Sequence, residues 1–175
     1  MTVAPVLDDT GRTFLVVGYG SDAAPVCRGW AAEAERLGKP VDLRLRAFAD
    51  GPALAGVDAL LGAATVGARL YVAGPGRDVR RTLALARRAG LLPSEVSEVV
   101  LADHARDVFC PHCAATTETT SGPGETVVCS GCHRTLEIRA HVASWTGTFL
   151  GSGSVSEPQD GAHTLTVPSR EDCSP

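Results

Sequence analysis

The 175-residue chain is 44% hydrophobic and 21% charged, enough apolar material for one compact domain or two small ones and too much for a disordered tail. Sixteen basic against twenty acidic side chains leave a formal charge of −4, which lacks the electrostatic footprint of a general nucleic-acid binder. No stretch approaches the ~20 apolar residues that span a bilayer, and Met1 to Arg12 carries acids where a signal peptide carries a basic and then an apolar run. The expectation is a cytoplasmic protein with neither membrane nor nucleic acid as partner.

Residues 1–12 show no periodicity and read as a flexible lead-in. Thr13 to Val17 is a continuous apolar run closed by Gly18, the pattern of a strand buried on both faces. Ser21 or Asp22 can cap the next segment, Pro25 suits its first turn, and Val26, Trp30, Ala34 and Leu37 recur at helical spacing up to Gly38. Val41 to Phe48 supplies a second strand. Asp50 to Gly62 reads as a short helix with Leu54, Val57 and Leu61 on one side. Arg69 to Ala73 is a third strand, broken by Gly74-Pro75-Gly76, after which Val79, Leu83 and Ala86 face one way until Gly90 stops the helix. Glu95 to Leu101 holds a fourth strand. This alternation predicts an α/β domain over 13–104, a compact, mainly parallel sheet with helices on both faces in a reduced Rossmann-like arrangement.

Composition changes after Leu101: alanine-rich helices give way to Cys, Thr, Gly and His in short segments, so 105–151 reads as a second module. The Gly-, Ser-, Pro- and Asp-rich residues 152–175 read as a disordered tail.

Within the second module, Cys110-Pro-His-Cys113 and Cys129-Ser-Gly-Cys132 are CxxC pairs separated by fifteen residues, 114 to 128, which is zinc-ribbon spacing. A two-residue gap lets both thiolates of a pair point at one ion, and Gly131 can adopt the positive φ that such a tight turn often needs. Four thiolates around zinc close its tetrahedral shell and leave no position for a substrate water, so the metal is read as structural. Rubredoxin-like iron uses the same ligand set, and a dithiol redox pair is the further alternative. The intervening threonine-rich segment reads as a hairpin turning at Ser121-Gly-Pro-Gly124. His112, His133 and His141 read as surface or outer-sphere histidines. Cys27 and Cys173 have no CxxC partner; Cys27 reads as a small buried residue on its helix and Cys173 as a free thiol in the tail.

Two further features invite function. Gly18-Tyr-Gly20-Ser21-Asp22-Ala23 fits G-x-G-x-x-A between a buried strand and a helix. It is open to two readings: a phosphate-binding turn for NADPH, with Gly18, Gly20, Ser21 and Gly74 as the contacts, or a structural strand-to-helix turn. The Asp22 carboxylate would compete with an anion for the helix amides. Arg77, Arg80, Arg81, Arg87 and Arg88 gather opposite Val79, Leu83 and Ala86 and form a candidate face for docking an acidic partner or holding a nucleotide phosphate, the alternative being a solvated face.

The stretch Gly67 to Gly76, the arginine-rich helix to Ala89-Gly90-Leu91, and Val96 to Val100 resemble the last half of the pyridine-nucleotide domain of ferredoxin-reductase-like flavoenzymes. Ala73 stands where those enzymes usually place the cysteine beside the nicotinamide, and no flavin-binding barrel precedes it. Across residues 65–151, GARLYVAGP, AGL, CPHC, CSGC, LEIRAH and TGTFLG together resemble the DmmA-like subunit family of dimethylamine monooxygenase. That resemblance implies an accessory subunit of a multicomponent amine monooxygenase, aiding assembly or electron transfer, with haem, flavin and iron–sulfur centres in partner subunits rather than in this chain. A pyridine-nucleotide-binding electron-transfer component and a zinc-ribbon regulatory or nucleic-acid-binding module are the competing classes.

Overall fold

A computed structural model describes residues 6–153. Four strands, β1 (Thr13–Tyr19), β2 (Val41–Arg46), β3 (Ala68–Pro75) and β4 (Val96–Ala102), form an all-parallel sheet in the order β2-β1-β3-β4. The crossovers are helices α1 (Ala23–Arg36), α2 (Gly51–Gly62) and α3 (Gly76–Arg88), with one 3-10 turn at Pro93–Glu95 before β4. β1 and β3 are the interior strands, and β1 is buried over nearly its whole length, as an apolar run inside a parallel sheet must be.

The alternation of side chains along the strands feeds two cores. Phe14, Val16, Tyr71 and Ala73 point to one face, where α1 lays down Ala23, Cys27, Trp30 and Ala34. Leu15, Val17, Leu70 and Val72 point to the other, where α2 brings Val57 and Leu61 and α3 brings Val79, Leu85 and Ala86. Helices therefore cover both faces. The Trp30 and Tyr71 rings sit 5.2 Å apart, and burying each such aromatic contributes a few kcal/mol of apolar transfer energy.

The lead-in is not loose over its described part. Leu7 is buried in the α1-side core, the Asp8 amide donates to the Tyr71 hydroxyl at 2.6 Å, and Arg69 Nε lies 2.8 Å from the Asp8 carboxylate. Apolar Leu7 and the Arg69 side chain hold down a segment whose lack of periodicity suggested a free end. Asp50 caps α2 by accepting from the Ala53 amide at 2.8 Å. At α1, by contrast, neither Ser21 nor Asp22 caps through its side chain; Asp22 already has helical backbone angles, and the Ser21 hydroxyl donates to the Asp22 carboxylate instead.

Five further strands, β5 (Arg106–Phe109), β6 (Thr116–Thr119), β7 (Thr126–Val128), β8 (Thr135–Ala143) and β9 (Thr148–Gly153), form a second sheet in the order β6-β5-β9-β8-β7. The expected β6–β7 hairpin does not form. β6 pairs antiparallel with β5, β7 pairs antiparallel with β8, and the two lie on opposite edges of the sheet. The sheet curls until these edges approach: the Ser130 amide, just past β7, donates to the Thr117 hydroxyl of β6 at 2.9 Å. Its small core is Val108, Ile138 and Phe149, with Leu136 under the cysteines. Among the described residues no helix is long and apolar enough to cross a membrane. Cys173 and the tail from residue 154 lie outside the described residues.

A four-cysteine candidate metal centre

β5 ends at Phe109 and hands the chain to Cys110; β7 ends at Val128 and hands it to Cys129. Each CxxC then folds by the same backbone rule. The Cys110 amide donates to the Ala115 carbonyl and the Ala114 amide to the Cys110 carbonyl, both at 2.9 Å. In the second turn the Cys129 amide donates to the Arg134 carbonyl at 2.9 Å and the His133 amide to the Cys129 carbonyl at 3.0 Å. Two equivalent knuckles thus face one another.

The four Sγ atoms all lie within 4.8 Å of one another, with Cys110 and Cys132 at 3.8 Å and Cys113 and Cys129 at 3.5 Å. Tetrahedral Zn–S bonds of about 2.3 Å place sulfurs about 3.8 Å apart, so the spacing fits a four-thiolate ion site. A disulfide needs about 2.05 Å. These four cysteines could hold one metal ion. His112, His133 and His141 are exposed and outside the group.

Four thiols around one point respond unequally. Cys129 is pulled down to about 6 by amide donors, the Cys132 amide first and Gly131 next. Cys113 is pushed up to about 12: the Ala115 amide favours its thiolate, but burial and the three neighbouring sulfurs outweigh it. A cation supplies the charge that lets all four ionise together.

The positive φ of the knuckles does not fall on Gly131. It falls on Ala114 at 59° and His133 at 60°, the residues that follow the second cysteine of each pair. Gly131 is needed for a different reason: a Cβ there would lie 2.8 Å from the Ala115 Cβ and 3.0 Å from the Cys113 Sγ. The signal was in the sequence, because the equivalent position in two equivalent turns must share one backbone conformation.

At the glycine loop, each candidate contact has a role within the chain. A Cβ on Gly18 would meet the Cys27 Sγ at 2.7 Å and a Leu45 methyl at 2.8 Å, so this glycine lets α1 sit against β1 and β2. Gly20 turns the chain at φ +77°, and a Cβ on Gly74 would lie 2.9 Å from the Tyr19 carbonyl oxygen. The adjoining pocket, bordered by Ser21, Asp22, Pro75 and Leu101, holds about 120 Å³, below the ~300 Å³ at which small-molecule sites begin. Cys27 is fully buried, its thiol pointing at the Val17 carbonyl and pushed up to about 11 by burial.

The arginine helix divides into two parts. Arg77, Arg80 and Arg81 face the second sheet rather than solvent. The buried Asp107 of β5 accepts a hydrogen bond from Arg81 Nε at 2.7 Å on one oxygen, and Arg77 Nε lies 3.0 Å from the other as an ion pair without hydrogen-bond geometry. Arg80 pairs with Asp103 at 2.9 Å, and Arg80 and Arg106 lie over the Phe149 ring at 5.0 and 5.9 Å. Three of the five arginines thus join α3 to the cysteine-bearing sheet, because the acids that neutralise them follow in the same chain. Arg87 and Arg88 remain exposed.

Residues 107–152 match the family described as dimethylamine monooxygenase subunit DmmA-like, C-terminal domain. The heme-dependent oxidative N-demethylase delta subunit of Ectopseudomonas mendocina (strain ymp) is 37% identical over 124 residues, covering 69% of this chain and 69% of that protein. No solved structure matches the chain.

Proposed function

Since the chain belongs to the DmmA-like family of dimethylamine monooxygenase subunits, we propose that it is an accessory subunit of a haem-dependent, multi-subunit amine N-demethylase acting in the cytoplasm. The 37% identity with a delta subunit over 124 residues carries this reading. Haem, flavin and iron–sulfur chemistry belongs to partner subunits, and this chain contributes to their assembly or to the coupling of electron transfer between them.

In this reading Cys110, Cys113, Cys129 and Cys132 hold one zinc ion as a structural clamp, which supplies charge neutralisation and a fixed tetrahedral geometry. The chain's own residues do the rest. Thr117 and Ser130 tie the two knuckles' strands together, with the Ser130 amide donating to the Thr117 hydroxyl. Arg77 and Arg81 fix the clamped sheet to α3 through Asp107. The parallel sheet is a reduced Rossmann-like unit over 13–104 that serves as scaffold, and 105–151 is a zinc-ribbon module.

The test is purification of the tagged full chain from its native source. The reading expects haem and flavin absorbance to elute with it in fixed ratio; a chain that elutes alone at low salt overturns it.

A further inference from the structure

Helix α2 is apolar on every side, with Asp58 as the single charged residue in Gly51–Gly62. A helix of that composition is ordinarily covered all round. Here only Ala53, Val57 and Leu61 are buried, while Ala55, Gly56 and Ala59 are exposed on the outer side. A groove of about 280 Å³ runs between α2 and α3 over Leu54, Ala84 and Leu85, with the exposed Asp58 as its one acidic wall residue. A second, of about 270 Å³, runs between α2 and β2 beside Arg44 and Arg46.

Arginines rim both grooves. Arg46 stands on the β2 side, and Arg88 with its neighbour Arg87 on the α3 side; none of the three forms an ion pair among the described residues. This cationic frame occurs in a chain whose net charge is −4. Thr146 lines the first groove, and its neighbour Trp145 is 61% exposed.

The turn that carries Trp145 is fixed. Arg88 donates to the Trp145 carbonyl at 2.7 Å, and the Gly147 amide donates to the Ala143 carbonyl at 2.8 Å. Gly147 sits so close to α3 that a Cβ would lie 2.5 Å from the Arg80 carbonyl oxygen. A large aromatic side chain held outward by a rigid backbone loses little freedom when a partner covers it, and Trp and Arg dominate the energetic centres of protein interfaces.

We propose that the outer face of α2, its two arginine rims and Trp145 form a docking face for an acidic amphipathic segment of a partner subunit. The segment's apolar side packs on α2 and Trp145, and its carboxylates face Arg46 on one flank and Arg87 and Arg88 on the other. The apolar ridge between the rims selects a protein segment over a nucleic acid, which would leave that ridge uncovered. This inference rests on the accessory-subunit reading and names the surface through which it works.

The tagged full chain is captured from its native source with and without nuclease treatment, with haem absorbance in the eluate as the readout. Trp145→Ala and the double change Arg46→Glu with Arg87→Glu should each lower haem capture at least tenfold, whereas Arg28→Glu, an exposed charge on α1, should not. Thermal melts of the free variants should match the unaltered chain. Should Trp145→Ala fail to fold, the arginine pair decides the matter. Equal capture by unaltered and altered chains overturns the docking face alone. Haem capture that disappears with nuclease assigns the surface to nucleic acid and overturns it too. No haem with the unaltered chain overturns the accessory-subunit reading, and the docking face falls with it.

Discussion

Arg81 Nε lies 2.7 Å from one oxygen of Asp107, and Arg77 Nε lies 3.0 Å from the other, so a single buried carboxylate joins α3 to β5. Asp107 is only 5% exposed, while the two arginines keep about a quarter of their side-chain surface. Removing one partner of such a group leaves uncompensated charge at a mostly covered boundary. Asp107→Ala should therefore destabilise the chain by about 3 kcal/mol, read as a lower midpoint in urea unfolding; Asp107→Asn, which keeps the acceptor oxygen, should fall between. A midpoint unchanged in both would remove this contact from the account of how the two sheets are joined.

The cysteine knuckles predict opposite responses at neighbouring positions. Gly131→Ala pushes a Cβ against Ala115 and the Cys113 sulfur, so metal affinity should drop at least tenfold in a chelator competition. Ala114→Gly relieves a positive φ of 59°. Left-handed backbone costs a non-glycine residue about 1–2 kcal/mol, partly offset by the added chain entropy of glycine, so the change should range from neutral to about 1 kcal/mol stabilising. If Gly131→Ala binds metal normally, the close approach at Gly131 is not what holds the sulfurs in place.

The glycine loop predicts an absence of heat. Gly18 and Gly74 are occupied by close packing, and the pocket beside Ser21 holds about 120 Å³ with the Asp22 carboxylate on its rim. Titration of NADPH into the chain in a calorimeter should show no saturable binding up to millimolar concentration. A saturable isotherm that Gly20→Ala abolishes would instead favour the nucleotide reading of this loop.

Asp8 gives the lead-in a pH dependence. Its carboxyl is held down at about 2, from 3.8, by the Arg69 guanidinium first and by Thr10. A depressed acid adds stability that is fully present above the unfolded value and disappears as pH falls through the folded one. The difference in melting temperature between the native chain and Asp8→Asn should thus be constant above about pH 5, shrink as pH falls from there to about 2, and vanish only towards about pH 1. A difference of undiminished size at about pH 1 would show that the asparagine disturbs packing around Leu7 instead of removing charge.

What could be read from the sequence was what depends on local periodicity and fixed spacing. The buried run at β1, the helical recurrence of Trp30 and Ala34, and the two CxxC pairs each carry their meaning within a few residues. The pairing of β6 and β7 was not legible, because a glycine- and proline-containing turn between two β-branched segments looks the same whether the strands pair with each other or with β5 and β8. The fate of Arg77 and Arg81 was hidden for a similar reason: the helix pattern shows which face is polar but not that Asp107, 26 residues beyond Arg81, returns to neutralise it. Leu7 and Asp8 have no periodic neighbours, so only the folded Tyr71 and Arg69 reveal their partners.

The accessory-subunit reading is tested most directly by oxidative demethylation of dimethylamine in the complex purified from its native source, with and without this chain. Omission of the chain should abolish or strongly reduce formaldehyde release while each partner keeps its haem and flavin, and adding back the zinc-loaded chain should restore it. Formaldehyde release that proceeds at the same rate without the chain would contradict the account.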